Sequence, residues 1–121
     1  MLATDPDGVL IRLRDLCLAL PLTAEKVSHG APAFSVKGRM FAYFRHDHHG
    51  DRRTVVCVRT GGRDEQDMLI ELDPDRYSWP AYIGSSGWIA IDLAEPDWLL
   101  VEQRMATSWR LAAPSSLAGM V

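Results

Sequence analysis

The sequence predicts an α+β fold, with a single two-layer domain in which three helices flank an antiparallel sheet of five strands. Apolar residues recur at helical spacing near both ends of the chain, while short aromatic-rich or continuous apolar runs precede Gly61. The 121 residues, 47% of them apolar, suit one domain over 1–121 with a core over about 6–114. The predicted order of elements is α-β-β-β-β-α-β-α.

The first predicted helix covers about residues 6 to 19. Asp5 or Asp7 can cap its first turn, where Pro6 is tolerated. Pro21 ends it because proline cannot continue a helix. Its apolar positions follow the spacing of one buried face, and they are Val9, Leu10, Leu13, Leu16, Cys17 and Leu20.

Four strands are expected next, as an antiparallel meander. Short runs around Val27 and Phe34 supply the first two strands. The run from Arg39 to Arg45 is rich in aromatic side chains, and the run from Arg53 to Arg59 contains four consecutive apolar residues. The polar stretch from His46 to Arg52 between these runs is typical of a hairpin loop.

The last part of the chain is predicted to alternate between helix and strand. A short helix opens at Asp64 and ends at Asp73, and a loop that includes Tyr77 follows it. Trp88–Asp92 is the predicted fifth strand. A final helix is expected over about 97–112, because apolar residues again share one helical face there.

The net charge of −3 conceals a strong segregation of charge along the chain. Residues 26–63 contain eight basic and two acidic side chains, a net +6, together with all four histidines. The remainder contains five basic and fourteen acidic side chains, a net −9. Local potential attracts a phosphate chain, so basic hairpins could bind nucleic acid despite the total charge. Alternatively, these cations form a solvated strand face, partly paired with acids of neighbouring helices.

No enzyme signature, cofactor motif or metal site is recognisable. The loop from His46 to Asp51 lacks the rigid ligand pairs of a zinc site. His29 has no nearby nucleophile with a supporting acid, so we expect it to hydrogen-bond within a turn. Residues 84–87 resemble a phosphate loop in composition only, since the lysine and following helix are missing. We therefore predict a non-catalytic domain.

The sequence predicts a cytoplasmic protein that does not enter a membrane. No apolar run approaches the roughly 18 to 20 residues of a membrane span. The N-terminus lacks the basic and apolar regions of a signal peptide. Cys17 and Cys57 lie in apolar surroundings, which predicts buried free thiols and a reducing compartment.

Aromatic side chains suggest a second kind of binding site. Aromatic residues at strand spacing are more often core than ligand-binding, although they can also stack on bases or line a pocket. Tyr43 and Trp79 are the two that we expect to be exposed. The full set is Phe41, Tyr43, Phe44, Tyr77, Trp79, Tyr82 and Trp88.

Several segments in this order resemble the MmcQ/YjbR-like family over about residues 6–115. The segments are Glu25-Lys26, His29-Gly30-Ala31-Pro32-Ala33-Phe34, Gly38-Arg39-Met40-Phe41-Ala42, Tyr82-Ile83-Gly84-Ser85-Ser86-Gly87-Trp88, Asp97-Trp98 and Ser108-Trp109-Arg110-Leu111-Ala112-Ala113-Pro114. The resemblance implies a secretion-chaperone-like α+β domain and DNA binding through a "double wing" of two basic hairpins. The corresponding positions here are the turn at Lys37-Gly38, which we call the first wing, and residues 46–53, the second wing.

Two functions follow for a monomeric domain. The first is weak, salt-sensitive DNA binding, because Asp47 and Asp51 lie within the second wing and the helices are acidic. Its candidate residues are Lys37, Arg39, Arg45, Arg52, Arg53 and Arg59. The alternative is a protein- or small-metabolite-binding module on the exposed sheet face, with candidate residues His29, Trp79, Tyr82 and Trp88.

Overall fold

The computed structural model describes residues 5–121, and it begins with the predicted first helix. Helix α1 spans Pro6–Leu18. The Asp5 carboxylate accepts a hydrogen bond from the Gly8 amide at 3.0 Å, which satisfies one of the free N–H groups at the helix start. Leu13 and Cys17 are buried on the face toward the sheet, so the apolar spacing is confirmed.

The predicted four-stranded meander follows. Its strands are β1 Thr23–Ser28, β2 Ala31–Val36, β3 Arg39–His46 and β4 Thr54–Arg59. Each strand pairs antiparallel with the next. The first two connections are two-residue turns, His29-Gly30 and Lys37-Gly38, in which both residues have positive φ. Positive φ at both positions is the property of type I′ hairpin turns, whose twist matches that of the strands.

The prediction of five strands is wrong, because the sheet has six. The additional strand, β5, consists of Tyr77–Ser78 and pairs antiparallel with β6, Trp88–Asp92. We predicted a loop there, since two residues cannot display an alternating pattern. Helices α2 (Arg63–Leu72) and α3 (Trp98–Ala112) complete the order of elements, and the strand order in the sheet is β1-β2-β3-β4-β6-β5.

Helices α1 and α3 cover one face of the sheet. Trp109 of α3 is fully buried in the core between these helices and the sheet, and its indole N–H donates to the Pro21 carbonyl at 3.0 Å. The partners from the sheet alternate along their strands and include Phe34, Val56 and Ile91. None of the helices formed by residues 5–121 is long and apolar enough to cross a membrane.

The opposite face of the sheet is here called the open face. Tyr43, Cys57 and Ala90 belong to a second apolar cluster on this face. Residues 79–87, here called the covering loop, connect β5 to β6, and their Ile83 packs against this cluster. The covering loop therefore covers part of the open face and leaves the rest accessible.

Candidate binding face and cleft

The two wings lie at opposite ends of β3. Since this strand has eight residues and a strand rises about 3.3 Å per residue, roughly 20–25 Å separates them. Lys37 and Arg39 lie at one end, and Arg52 lies at the other. The predicted nucleic-acid-binding cations therefore form two groups instead of one continuous patch.

Arg53 of the second wing is engaged within the fold. Its Nη2 donates to Asp92 Oδ2 at 3.1 Å, and its Nη1 donates to Ser78 Oγ at 2.7 Å. Both charged side chains are more than two-thirds buried. Because Asp92 belongs to β6 and Ser78 to β5, this guanidinium joins the residue before β4 to the far edge of the sheet. Its charge is already balanced.

Arg59 is also folded onto the protein. Its Nε donates to the Met40 carbonyl at 2.6 Å, and its guanidinium carbon lies 4.7 Å from the centroid of the Trp88 ring. Burial lowers the pKa of Arg59, and the positive charge of Arg39 lowers it further. This side chain therefore forms part of the open face, where it covers Trp88 through a cation–π contact.

Like Arg59, the other four candidate cations have no carboxylate partner among residues 5–121. Three are exposed and the fourth, Arg45, is half-buried and donates from Nη1 to the Ala81 carbonyl at 3.0 Å. The exposed three are Lys37, Arg39 and Arg52. The two acids of the second wing act on their own loop: Asp47 accepts from the Arg52 amide at 2.8 Å, and Asp51 accepts from the Arg53 amide at 2.9 Å.

A cleft of about 700 Å³ opens at the end of the open face nearest the β1–β2 turn. Its walls come from that turn, from β3, from the second wing and from the covering loop. One guanidinium, three imidazoles and two phenols line it, and no carboxylate of residues 5–121 does. These residues are Arg45, His29, His48, His49, Tyr43 and Tyr82.

The rings of the second wing meet Tyr82 at the mouth of the cleft. The His48 and His49 ring centroids are 4.2 Å apart, and His49 lies 5.6 Å from Tyr82 in an edge-to-face arrangement. Tyr82 is 79% exposed. Burial lowers the pKa of His48, and the charges of Arg45, His49 and His29 lower it further, opposed by Asp51.

Three of the residues whose aromatic rings line the cleft have a left-handed backbone conformation. The φ angles are 52° at His29, 53° at His49 and 69° at Tyr82. This region costs a non-glycine residue roughly 1–2 kcal/mol. Leu22, Lys37, Asp47 and Arg52 also have positive φ, and His29 occupies the first position of a type I′ turn, so turn geometry accounts for part of this strain.

The structure brings only two of the four alternative ligand-binding residues together. His29 and Tyr82 both line the cleft. Trp88 is buried, and its ring centroid lies 5.0 Å from that of Tyr43. Because of this contact Tyr43 is half-buried, so the expectation that it is exposed is wrong. Trp79 is exposed as expected, but it lies away from the cleft with the Arg63 guanidinium 5.0 Å from its ring.

Sequence reasoning missed His48 and His49 as cleft residues. The sequence suggests them only as metal ligands, and no cluster of three or more potential metal-binding side chains occurs in the part of the chain that the structure describes. The relevant signal was the concentration of all four histidines in the basic segment. The covering loop that completes the cleft comes from a distant part of the sequence, so no local pattern could reveal the site.

Neither cysteine has surroundings that favour its thiolate. Cys17 and Cys57 are free and buried, as predicted. Burial raises the pKa of the Cys57 thiol to about 11, and it also raises the pKa of Cys17. Both thiols are therefore protonated at neutral pH, and the reactive form of a cysteine is the thiolate.

Comparison with known proteins agrees with this architecture. The model of the YjbR family matches residues 18–111. The fold resembles the crystal structure of the Deinococcus radiodurans protein DR2400, which has a DUF419 domain, with a TM-score of 0.69 and 19% identity over 84% of this chain and 76% of that one. That likeness establishes the fold alone. No curated protein gives a significant match. Because the family model matches most of its length, the chain belongs to the YjbR family.

Proposed function

We propose that this chain is a monomeric, cytoplasmic and non-catalytic domain that binds nucleic acid weakly, chiefly through phosphates. The observation that carries the proposal is that four of the six candidate cations, Lys37, Arg39, Arg45 and Arg52, are neither paired with a carboxylate nor packed on an aromatic ring among residues 5–121. Phosphate contacts of this kind give affinity without sequence information. Arg53 and Arg59 contribute indirectly, since they shape the open face.

The separation of the wings supports contacts with more than one phosphate. Roughly 20–25 Å along β3 is several times the axial rise of about 3.4 Å per phosphate along one strand of duplex DNA. A bound strand or duplex could therefore touch both groups of cations at once. Fourteen of the sixteen acids lie outside the basic segment, which limits the affinity through long-range repulsion.

The test is a fluorescence-anisotropy titration of single-stranded and duplex oligonucleotides at several salt concentrations. We expect Lys37→Ala/Arg39→Ala and Arg52→Ala to weaken binding and to reduce the slope of log K against log[salt] by about 0.7 per lost phosphate contact on a single strand. The matched control is Arg110→Ala, which removes an exposed cation from α3. Equal binding by all four proteins would refute the wing contacts.

A second candidate function is small-metabolite binding in the cleft. The specific observation that favours it is the convergence of Arg45 and three histidines on a cavity of about 700 Å³ without a lining carboxylate. Ligand pockets are typically concave, partly apolar and 300–1,000 Å³ in volume, with a few convergent polar groups. The cleft has these properties.

A further inference from the structure

We infer that the cleft binds a nucleoside phosphate, with the phosphate held by Arg45 and the histidines and the base placed against Tyr82. This inference deepens the second candidate function, because it rests on the cleft accepting a ligand. It does not require the wings to bind nucleic acid. The shared chemistry is a phosphate joined to a heteroaromatic base, whether free or within a single strand.

The phosphate half of the site rests on charge. Arg45 uses Nη1 to donate to Ala81, and a guanidinium offers five N–H donors in a planar fork suited to phosphate. Of the nearby acids, Asp51 alone acts electrostatically on His48, and its carboxylate already accepts from the Arg53 amide. An anion in the cleft would offset the positive charge of Arg45, which lowers the pKa of His48.

The base half of the site rests on the aromatic rings and the apolar floor. Tyr82 is 79% exposed, and its edge-to-face contacts with His48 and His49 leave it at the mouth of the cleft. Ala31 and Ile83 supply apolar walls. A planar ring of any base can stack on an exposed aromatic side chain, so this half favours a flat heteroaromatic body over a branched aliphatic one.

The size of the cleft suits a small molecule such as a single nucleotide. About 700 Å³ is the volume of a site for a small molecule, so neither a duplex nor several stacked bases fit inside. A strand could enter only by presenting a single unstacked nucleotide. Adenosine 5′-monophosphate is therefore a suitable probe, and its two halves can be offered separately as adenosine and inorganic phosphate.

The experiment is calorimetric titration with these three probes, together with NMR titrations that monitor the ring resonances of the histidines. We expect the nucleotide to bind more tightly than either half, and Arg45→Gln to weaken nucleotide binding by about tenfold or more. Tyr82→Ala should weaken nucleotide binding by about fivefold or more but leave phosphate binding unchanged, whereas Tyr82→Phe retains the ring and the affinity. Arg110→Gln is the charge control.

The possible failures are distinguishable. If none of the probes binds or shifts a histidine resonance, both the second candidate function and this inference fall. If phosphate binds as tightly as the nucleotide, or Tyr82→Ala has no effect on nucleotide binding, the cleft is an anion site and the nucleotide assignment is wrong. Because Arg45→Gln also removes the bond to Ala81, His49→Gln provides a second test at an exposed ring, with loss of nucleotide affinity expected.

A fourth titration separates the two sources of the ligand. A single-stranded oligonucleotide that competes with the mononucleotide, and loses affinity in Tyr82→Ala, supports the inference with a strand as the source. An oligonucleotide that does not compete, while the mononucleotide binds, supports it with a free nucleotide as the source.

Discussion

His48 is a cleft residue whose pKa is shifted by its surroundings. Its pKa lies below the ordinary value of 6.5, chiefly through burial and then through the positive charges of Arg45, His49 and His29, with Asp51 opposing. As pH falls through 6.5, the unfolded chain therefore takes up this proton before the folded chain does. The contribution of His48 then destabilises the fold progressively until the folded form is also protonated.

We therefore predict that His48→Gln flattens the acid side of the stability curve. The free energy of unfolding of the wild type should fall more steeply than that of the variant between about pH 7 and pH 5. Added phosphate should restore part of the wild-type loss, because an anion in the cleft favours the protonated imidazole. Chemical denaturation at several pH values measures both effects. Superimposable slopes for the two proteins would contradict the prediction.

The sequence predicts that the arginines form a basic region, but it does not predict the contacts that each arginine makes. The abundance of cations in residues 26–63 was visible, and it correctly indicated a basic region. The pairing of Arg53 with Asp92 spans 39 positions and depends on the register of β4 against β6, which no local pattern contains. Arg59 likewise meets Trp88 only because those two residues are opposite each other in the ladder.

At the scale of elements, a β-bulge explains how α3 is fixed to the sheet. The pairing of β2 with β3 shifts between Phe34 and Ser35, and Phe41 is left without a partner on β2. The buried Ser108 hydroxyl of α3 donates to the Phe41 carbonyl at 2.5 Å and accepts from the Arg59 amide at 2.8 Å. One side chain of the helix thus satisfies two backbone groups of the sheet.

We predict that Ser108→Ala destabilises the domain by roughly 1–3 kcal/mol, because it leaves a buried carbonyl and a buried N–H unsatisfied. The matched control is Thr107→Ala, since the Thr107 hydroxyl donates to Gln103 within its own helix and is more exposed. Urea denaturation with an unchanged m-value for both variants measures the difference. A loss in Ser108→Ala no larger than that in Thr107→Ala would show that the bridge does not stabilise the sheet.

Periodicity made the long elements predictable and the short ones invisible. Helix α1, strands β3 and β4 and helix α3 were expected within one or two residues of their bounds, whereas β1 and β2 were expected without bounds. Strand β5 was missed because its two residues pair with β6 through tertiary contact, with the Arg53–Ser78 hydrogen bond beside it. The same limit applies to the covering loop, whose position over the open face depends on where β5 ends.

At the scale of the whole molecule, charge segregation sets how strongly any polyanion can be held. The formal charge is −3, yet the basic segment carries the two wings and the acids lie mainly on the remaining elements. Attraction at the wings therefore competes with repulsion from the helices. Salt screens the repulsion from the helices first, because this repulsion acts over a longer distance than the contacts at the wings. The Debye length falls from about 30 Å at 0.01 M salt to about 8 Å at 0.15 M.

We predict that the double variant Glu71→Gln/Glu102→Gln binds oligonucleotides more tightly than the wild type at low salt only. Both side chains are exposed, one on α2 and the other on α3, so their removal should leave the fold intact. Affinity should rise a few-fold at about 10 mM salt and converge with that of the wild type at about 150 mM, where their field no longer reaches the wings. Anisotropy titrations at the two salt concentrations measure this. A gain of equal size at both would place these acids next to the bound strand and contradict binding at the wings.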